Sequence, residues 1–531
     1  MIGLILVGMA LQAAQAERYG VIITSGVDTV AVERVERDGR TARSEVLIPR
    51  LARLAIVATT DGRGCVSGAL VSVFPWGSSR DATPLQRVSL RLDGDSVRLD
   101  VRASDVGRSL SRAFPGARFV LLGESDALSA LAVECALAEG EGADSVEVPA
   151  VVFPGLRALA MRVTRRGDRA VVVAGDTVWA ELDAHGRARR MVVGRGERGR
   201  VITRVAAGVV EGLQIAPSDY SVPPGAPYLA EQVRFEVEPG VVLAGTLTIP
   251  LEVRGPVVAV VTVSGSGPQD RDSYAPVADG WRPFRQFADT LARRGYAVLR
   301  FDDRGVGGST GDFGGATERT TAADVLAAVA YLRSRADIDG HRVVLLGHSE
   351  GVRVAMLAAA QDRAVSGLVL MSGAADPRAA VRAQALWLAE HGPATSRLPR
   401  DYVLALVDRQ MDSLAVAGQR DVYRWDAGAV ARDIRAAAVA IFHGGTDRQV
   451  PSDQAGALAA VFRRAGARAV NVRVFPGLNH LLVRDPSGDF TRYHLLPSAR
   501  VDTAVLGALS DWLDGLRRGA RTEHGDARFS R

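Results

Sequence analysis

The segment GHSEG at residues 347–351 has the form G-x-S-x-G and directly follows the apolar run VVLL. A serine at a sharp turn from strand to helix presents its hydroxyl group above the carboxyl edge of a sheet, and small residues two positions to either side let neighbouring backbone pass closely. A second match, GGSTG at residues 307–311, has no strand immediately before it and is predicted to be a loop. Ser349 is therefore the predicted nucleophile.

A serine hydroxyl is a poor nucleophile without a base, and the base needs a carboxylate to orient it. Asp447 follows the apolar run AVAIF, and His480 follows the next run, NVRVF. Ligands gather at the carboxyl ends of strands in open α/β sheets, and the chain order serine, acid, histidine is one of the known arrangements. We expect both side chains to lie at the same edge of the sheet as Ser349.

Three alternatives remain open for this group. Asp447 and His480 could form a salt bridge between loops that has no catalytic role. His494 is a second candidate for the base. His443 precedes the acid by four positions and is expected to shape its turn.

Acyl transfer also needs hydrogen-bond donors aimed at the developing oxyanion. The first predicted donor is the backbone N–H of Glu350, which follows the nucleophile. The second is the N–H of Ser266 in the loop SGSG at 264–267, where two glycines let the backbone approach a substrate closely. This loop lacks the lysine and the glycine spacing of a phosphate-binding loop.

The elements that must position these residues alternate between strand and helix over residues 228–517. This alternation predicts an α/β fold with a mostly parallel sheet. Residues 376–435 interrupt it with a largely helical, polar insertion. The predicted strands lie at 233–237, 243–249, 257–263, 297–301, 343–346, 365–371, 439–442 and 470–474.

Residues 17–216 instead consist of short strands separated by glycine turns, such as Asp93-Gly94-Asp95. This pattern predicts an all-β domain, either a sandwich or a partly closed barrel. The Pro-rich residues 217–227 are predicted to be a linker, and residues 518–531 a disordered tail. No convergent acid, base or metal cluster is evident in the β-rich half.

The first sixteen residues have an apolar stretch followed by Ala14-Gln15-Ala16, a small-x-small pattern typical of a signal-peptide cleavage site. We therefore expect an exported protein, periplasmic or extracellular. Cys65 and Cys135 could form a disulfide in that setting or remain as two buried thiols.

The composition excludes several classes of protein. Hydrophobic residues are 47% and charged residues 24% of the 531 residues, as in globular proteins. The net charge of +5 is small for this length and acidic residues interleave with the basic ones, so no nucleic-acid partner is predicted. No internal apolar run is long enough to span a membrane.

Residues 228–517 resemble the α/β-hydrolase superfamily, and most closely the bacterial serine-esterase group related to the serine aminopeptidase (S33-type) core. The motifs that carry the resemblance are GSGPQDRD at 265–272, DDRGVGGS at 302–309 and GHSEG, followed by the spaced Asp447 and His480. The resemblance implies a Ser349–Asp447–His480 triad and a helical cap at 376–435. Val352 departs from the pattern, because such turns often continue with glycine.

Arg271 and three tryptophans could each have either a substrate-binding role or a purely structural one. Arg271 could contact a substrate carboxylate, but an internal salt bridge that fixes its loop is favoured. Trp281, Trp387 and Trp425 could line an acyl pocket or pack the cap.

The main functional hypothesis is an exported serine hydrolase that cleaves small-molecule carboxylic esters through an acyl-enzyme, with no metal or organic cofactor. The first alternative is a peptidase or amidase with the same triad, for which acids of the cap would bind a substrate amine. The second is a non-catalytic binding protein that uses the β-rich domain. The candidate amine-binding acids are Asp376, Glu390, Asp401 and Asp408.

Overall fold

The computed structural model describes residues 16–526 apart from short gaps, the longest of which are 76–82, 194–199, 212–218 and 392–398. The chain divides into two compact units, Met1–Ala216 and Pro217–Arg531. The predicted signal segment lies outside the described residues except for its last position, Ala16. None of the described helices is both long enough and apolar enough to cross a membrane.

The described strands of the first unit join in one sheet of fifteen. Glycines with positive φ form the predicted hairpin turns at Gly94, Gly167 and Gly186. The strands are β1 (Glu17–Ser25), β2 (Asp28–Asp38), β3 (Thr41–Ile48), β4 (Ala52–Thr60), β5 (Val66–Pro75), β6 (Gln86–Asp93), β7 (Ser96–Ala103), β8 (Val106–Ala113), β9 (Phe119–Leu122), β10 (Ser145–Phe153), β11 (Arg157–Arg166), β12 (Arg169–Ala174), β13 (Asp176–Leu182), β14 (Ala188–Val193) and β15 (Arg200–Ala206).

The sheet starts at its centre, because β1 pairs with both β2 and β15. The chain runs outward from β2 to β8, crosses to the opposite edge at β9 and returns through β10 to β15. Helix α1 (Asp126–Glu139) contacts β5 of one arm and β10, β11 and β14 of the other. Strands of both arms of the sheet therefore pack against α1, and the unit is all-β apart from its short helices, as predicted. A short helix α2 (Ala207–Glu211) follows β15.

A disulfide between Cys65 and Cys135 ties the start of β5 to α1. Both residues are buried in the core under the sheet. The sequence left this pairing open, because spacing alone does not say whether two cysteines meet.

We expect the double variant Cys65→Ser/Cys135→Ser to destabilise the first unit by about 2–4 kcal/mol, because the cross-link closes a long loop in the unfolded chain. Calorimetry of the full chain should show a lower melting temperature for one transition, and dithiothreitol should lower that transition in the wild type alone. Equal melting of both proteins under oxidising conditions would contradict this assignment.

The second unit has a mostly parallel sheet, with strand order β16-β17-β19-β18-β20-β21-β22-β23. The central strand β18 is buried along its whole length, as its continuous apolar run predicts. The elements are β16 (Tyr228–Glu238), β17 (Val241–Pro250), β18 (Val257–Val263), α3 (Pro283–Ala292), β19 (Ala297–Phe301), α4 (Glu318–Arg333), β20 (Ile338–His348), α5 (Gly351–Gln361), β21 (Val365–Met371), α6 (Pro377–His391), α7 (Arg400–Val416), α8 (Ala427–Ala431), β22 (Ala438–Gly444), α9 (Asp453–Arg464), β23 (Val470–Phe475) and α10 (Thr503–Asp526).

The insertion between β21 and β22 contains α6, α7 and α8. Residues 376–435 are therefore largely helical, as expected. Its first two helices are joined by ion pairs. Arg378 lies 2.7 Å from Asp412, and Arg382 lies 2.6 Å from Asp408.

One segment differs from the sequence-based expectation. Helix α10 continues to Asp526, so the predicted disordered tail at 518–531 is wrong over its helical part. The segment RRGART combines arginine and alanine, which favour helix and outweigh its one glycine. Within the predicted linker at 217–227, Tyr220 donates a hydrogen bond to Asp270, and Ser221 accepts one from Arg285 at its carbonyl.

Candidate active site

Ser349 lies at the turn between β20 and α5 with a φ of +56°, a conformation that is rare for residues other than glycine. Its N–H donates to the carbonyl of Met371 on the adjacent strand, at 2.9 Å. A Cβ at Gly347 would lie 2.3 Å from the carbonyl oxygen of Gly351, and one at Gly351 would lie 2.3 Å from that of Val263. Both glycines are required by close backbone approach, as the motif predicts.

Val352 does not disturb this turn although glycine often occupies its position. Its side chain is fully buried and fills the space beside Gly373, where an added Cβ would lie only 2.4 Å from it. The missing side chain at Gly373 therefore makes room for the extra one at Val352.

The structure brings Ser349, Asp447 and His480 together. Nε2 of His480 lies 3.0 Å from Oγ of Ser349, and Nδ1 lies 2.8 Å from Oδ2 of Asp447. The acid follows β22 and the histidine follows β23, so neighbouring strand ends supply both. Such a chain of hydrogen bonds lets the imidazole accept the serine proton while the carboxylate fixes its tautomer. The side chain of His494 lies outside the described residues.

Asp447 is held as a carboxylate by its surroundings. Burial opposes ionisation, but the nearby charge of His480 and the hydrogen bonds from His443 and His480 outweigh it and lower the pKa of Asp447 well below its usual range. The N–H groups of Gln449 and Val450 donate to Oδ1 at 2.9 and 2.8 Å. His443 lies near the end of β22, and its Nε2 is 2.9 Å from the carbonyl oxygen of Val450 in the turn that carries Asp447, as expected for a residue that shapes this turn.

His348 and Trp281 hold the loop that carries the base. Nε2 of His348 lies 3.0 Å from the carbonyl oxygen of His480, and the indole N–H of Trp281 donates to that of Leu481 at 3.2 Å. Burial, followed by the charge of His480, lowers the pKa of His348 to about 3. His348 is therefore neutral at physiological pH, and one ring N–H can donate to the carbonyl. Sequence reasoning missed this role, although His348 lies inside the motif.

The two predicted oxyanion donors lie side by side. Oγ of Ser266 donates to Oε2 of Glu350 at 2.7 Å, so the side chains of both donor residues are joined. A Cβ at Gly265 would lie 3.3 Å from Cβ of Ser349, which places the loop directly against the nucleophile. Within the described part of the chain, neither backbone N–H is bonded to a protein acceptor, and both are available to an oxyanion.

Asp303 anchors the ends of this loop. Its Oδ1 lies 2.6 Å from Oγ of Ser264, and its Oδ2 accepts from the N–H of Gln269 at 2.9 Å. Burial raises the pKa of Asp303 to about 8, although the hydrogen bond from Ser264 opposes this shift. Asp303 belongs to the motif DDRGVGGS at 302–309, but no local sequence signal predicts its contact with the loop at 264–267.

Arg271 is buried in an internal salt bridge rather than facing a substrate. It donates to both carboxylate oxygens of Asp302, at 3.0 and 2.7 Å. It also donates to Gln232 and Thr246. This geometry agrees with the favoured interpretation, an arginine that fixes its loop.

Three of the four acids proposed for amine binding already have partners within the cap. Asp408 pairs with Arg382, Glu390 lies 3.9 Å from Arg400, and Asp376 accepts from the N–H of Ala379 at the start of α6. The structure does not show these acids as one free cluster. Among the described residues, no group of three or more His, Cys, Asp or Glu side chains is placed to hold a metal ion.

The three tryptophans have different positions. Trp281 is buried against His348, and their ring centroids are 5.4 Å apart. Trp387 on α6 stacks on His391 and contacts Phe490. Trp425 packs on the hydrophobic core of the unit.

Comparison with known proteins gives one family model and several similar proteins. The family model described as serine aminopeptidase, S33, matches residues 279–426. Esterase EstD of Thermotoga maritima is 28% identical over 333 residues, which are 60% of this chain and 77% of that protein. Among solved structures, Est1E from Butyrivibrio proteoclasticus matches with 18% identity and a TM-score of 0.35 over 54% of this chain and 99% of its own. The Pyrococcus furiosus esterase Pf2001 matches with 16% identity and a TM-score of 0.36 over 49% and 87%.

The buried His348 predicts a pH dependence of stability. Its pKa is about 3 when folded and near 6.5 when unfolded, so the unfolded chain binds more protons in between. The contribution of the neutral His348 ring to the free energy of unfolding is fully present above pH 6.5. It is lost as the pH falls towards 3, at about 1.4 kcal/mol per pH unit. In calorimetry between pH 4 and 7, His348→Gln should flatten the acid-side loss relative to wild type. The exposed His341→Gln should not, and an equal slope in all three proteins would contradict the assignment.

Proposed function

Because the second unit belongs to the α/β-hydrolase superfamily, in the serine-esterase group related to the S33 serine aminopeptidases, we propose that the protein hydrolyses small-molecule carboxylic esters through an acyl-enzyme on Ser349. The observation that carries this proposal is the continuous hydrogen-bonded chain from Ser349 through His480 to Asp447, with links of 3.0 and 2.8 Å. The esterase EstD, by its name, acts in the same class of reaction.

The reaction has two halves. Oγ of Ser349 attacks the ester carbonyl while Nε2 of His480 takes its proton, and the carbonyl oxygen becomes an oxyanion. Collapse of this intermediate breaks the bond to the leaving alkoxy oxygen, which receives the proton from His480 and departs as the alcohol. Water then attacks the acyl-enzyme with the same base, and the second collapse releases the carboxylic acid and restores the serine.

The surroundings favour charge on one ring only. The ionised Asp447 stabilises the imidazolium of His480 that forms during each half. His348, whose ring centroid is 5.1 Å from that of His480, remains neutral because burial lowers its pKa to about 3. The oxyanion would receive hydrogen bonds from the N–H groups of Ser266 and Glu350, and one such donor commonly contributes about 10²–10³ in rate.

Ester rather than amide cleavage is supported by the cap. Recognition of a substrate amine needs carboxylates that are free to bind it. Asp408 and Glu390 are instead close to arginines of the same helical pair. The alkoxide of an ester is also a better leaving group than the amine of an amide. An ester substrate needs no subsite that binds an amine.

We also propose that the protein is exported. The disulfide between Cys65 and Cys135 supports this, because disulfides persist in oxidising compartments and are rare in the cytosol. The small-x-small pattern before Glu17 supplies the cleavage site.

The proposed nucleophile is tested by labelling with a fluorophosphonate and by hydrolysis of p-nitrophenyl esters. Ser349→Ala should abolish labelling and lower kcat at least ~10³-fold, because the variant lacks the hydroxyl group that the acyl-enzyme is proposed to form on. Ser309→Ala, in the second G-x-S-x-G match, serves as the control and should keep the label. Labelling that persists in Ser349→Ala, or turnover equal to wild type, would refute the assignment.

Export is tested on protein expressed from the full gene in its native type of cell. The mature protein should appear outside the cytoplasm, and mass spectrometry of its amino terminus should give Glu17 as the first residue. An intact amino terminus on protein recovered from the cytoplasm would overturn the proposal.

A further inference from the structure

Glu350, the residue after the nucleophile, carries a carboxylate that is held beside the oxyanion hole. Its Oε2 accepts the hydrogen bond from Oγ of Ser266 at 2.7 Å, and one third of its side chain is exposed to solvent. The backbone N–H groups of these two residues are the proposed oxyanion donors. The reach of a glutamate side chain and the ~3 Å donor distance place its charge roughly 6–9 Å from the reacting carbonyl.

The nearest cation leaves this charge largely uncompensated. Nη2 of Arg353 is 3.9 Å from Oε2 of Glu350, but Nη2 and Nε of the same guanidinium lie 2.6 and 2.8 Å from Glu318. Arg353 therefore neutralises Glu318 first. Glu350, the more exposed of the two acids, has the longer contact with this guanidinium and keeps most of its negative charge.

The other acids around the loop at 264–267 that carries Ser266, here called the oxyanion loop, are paired with arginines or have a raised pKa. Asp302 pairs with Arg271, and Asp272 pairs with Arg300, all four being buried. Burial raises the pKa of Asp303 to about 8, so that it is mainly neutral near pH 7. Of these four described acids, Glu350 is the one whose charge faces solvent.

We propose that Glu350 is a specificity-determining residue that disfavours substrates with an anionic acyl group and directs the site towards uncharged and cationic ones. This inference rests on the proposed ester hydrolysis. An anionic acyl group would bring a second negative charge to the edge of the site that carries this carboxylate, whereas a cationic group would be attracted. For two charges about 8 Å apart at an effective dielectric constant near 20, with partial screening by solvent, this interaction changes the rate by on the order of tenfold.

The test compares three 4-nitrophenyl esters of similar length: the half-ester of adipic acid, its neutral methyl ester and the ester of 6-(trimethylammonio)hexanoic acid. The measured quantities are the ratios of kcat/KM for the anionic and the cationic ester to that for the neutral one. In Glu350→Gln, which keeps an acceptor for Ser266, the anionic ratio should rise about tenfold and the cationic ratio should fall. Glu231→Gln makes the same change on β16, where its partner is Arg335, and should leave both ratios as in wild type.

A second measurement needs no variant. Raising the ionic strength from about 20 to 500 mM should increase the anionic ratio of the wild type, because salt screens an exposed charge. A wild-type ratio independent of salt, or an anionic ratio in Glu350→Gln within twofold of wild type, overturns the inference while ester hydrolysis stands. Failure to hydrolyse even the neutral ester would instead overturn the proposed function, and the inference with it.

Discussion

The positive φ of Ser349 is possible only because two neighbouring positions have no side chain. Gly347 approaches the carbonyl of Gly351, and Gly351 approaches that of Val263, each closer than a Cβ allows. A non-glycine residue in this conformation costs on the order of 1–3 kcal/mol, which the surrounding structure must offset. Helix α5 does so by burying most of its length against the central strands. The strained serine, the helix behind it and the oxyanion loop in front are therefore consequences of one steric constraint.

The base is positioned through its backbone as much as through its side chain. His348 and Trp281 contact the successive carbonyls of His480 and Leu481, while Oδ1 of Asn479 accepts from the N–H groups of Leu481 and Val483. Because His348 directly precedes the nucleophile, the same turn fixes both reacting partners.

The residues of the proposed triad could be predicted because each follows a strand of an alternating pattern, and strand ends in a parallel sheet share one edge. The contacts of Asp303 could not, because Ser264 and Gln269 approach it only once the β18 and β19 loops are folded side by side. The turns of the first unit could likewise be predicted from local sequence. The central position of β1 could not be predicted, because hairpin turns define only consecutive neighbours and the pairing of β1 with β15 spans the whole unit.

The polar residues of the oxyanion loop are best understood as determinants of geometry. A buried ion pair adds little net stability, because desolvation of both charges offsets their attraction, but breaking one costs about 3–5 kcal/mol. The pairs Arg271–Asp302 and Arg300–Asp272 join the loop after β18 to β19 and the turn that follows it. Any other arrangement of the loop would leave a charge unpaired in the interior. These pairs therefore favour one arrangement of the loop that carries Ser266, the proposed donor, and a preformed arrangement is the condition under which an oxyanion hole lowers the barrier without reorganisation.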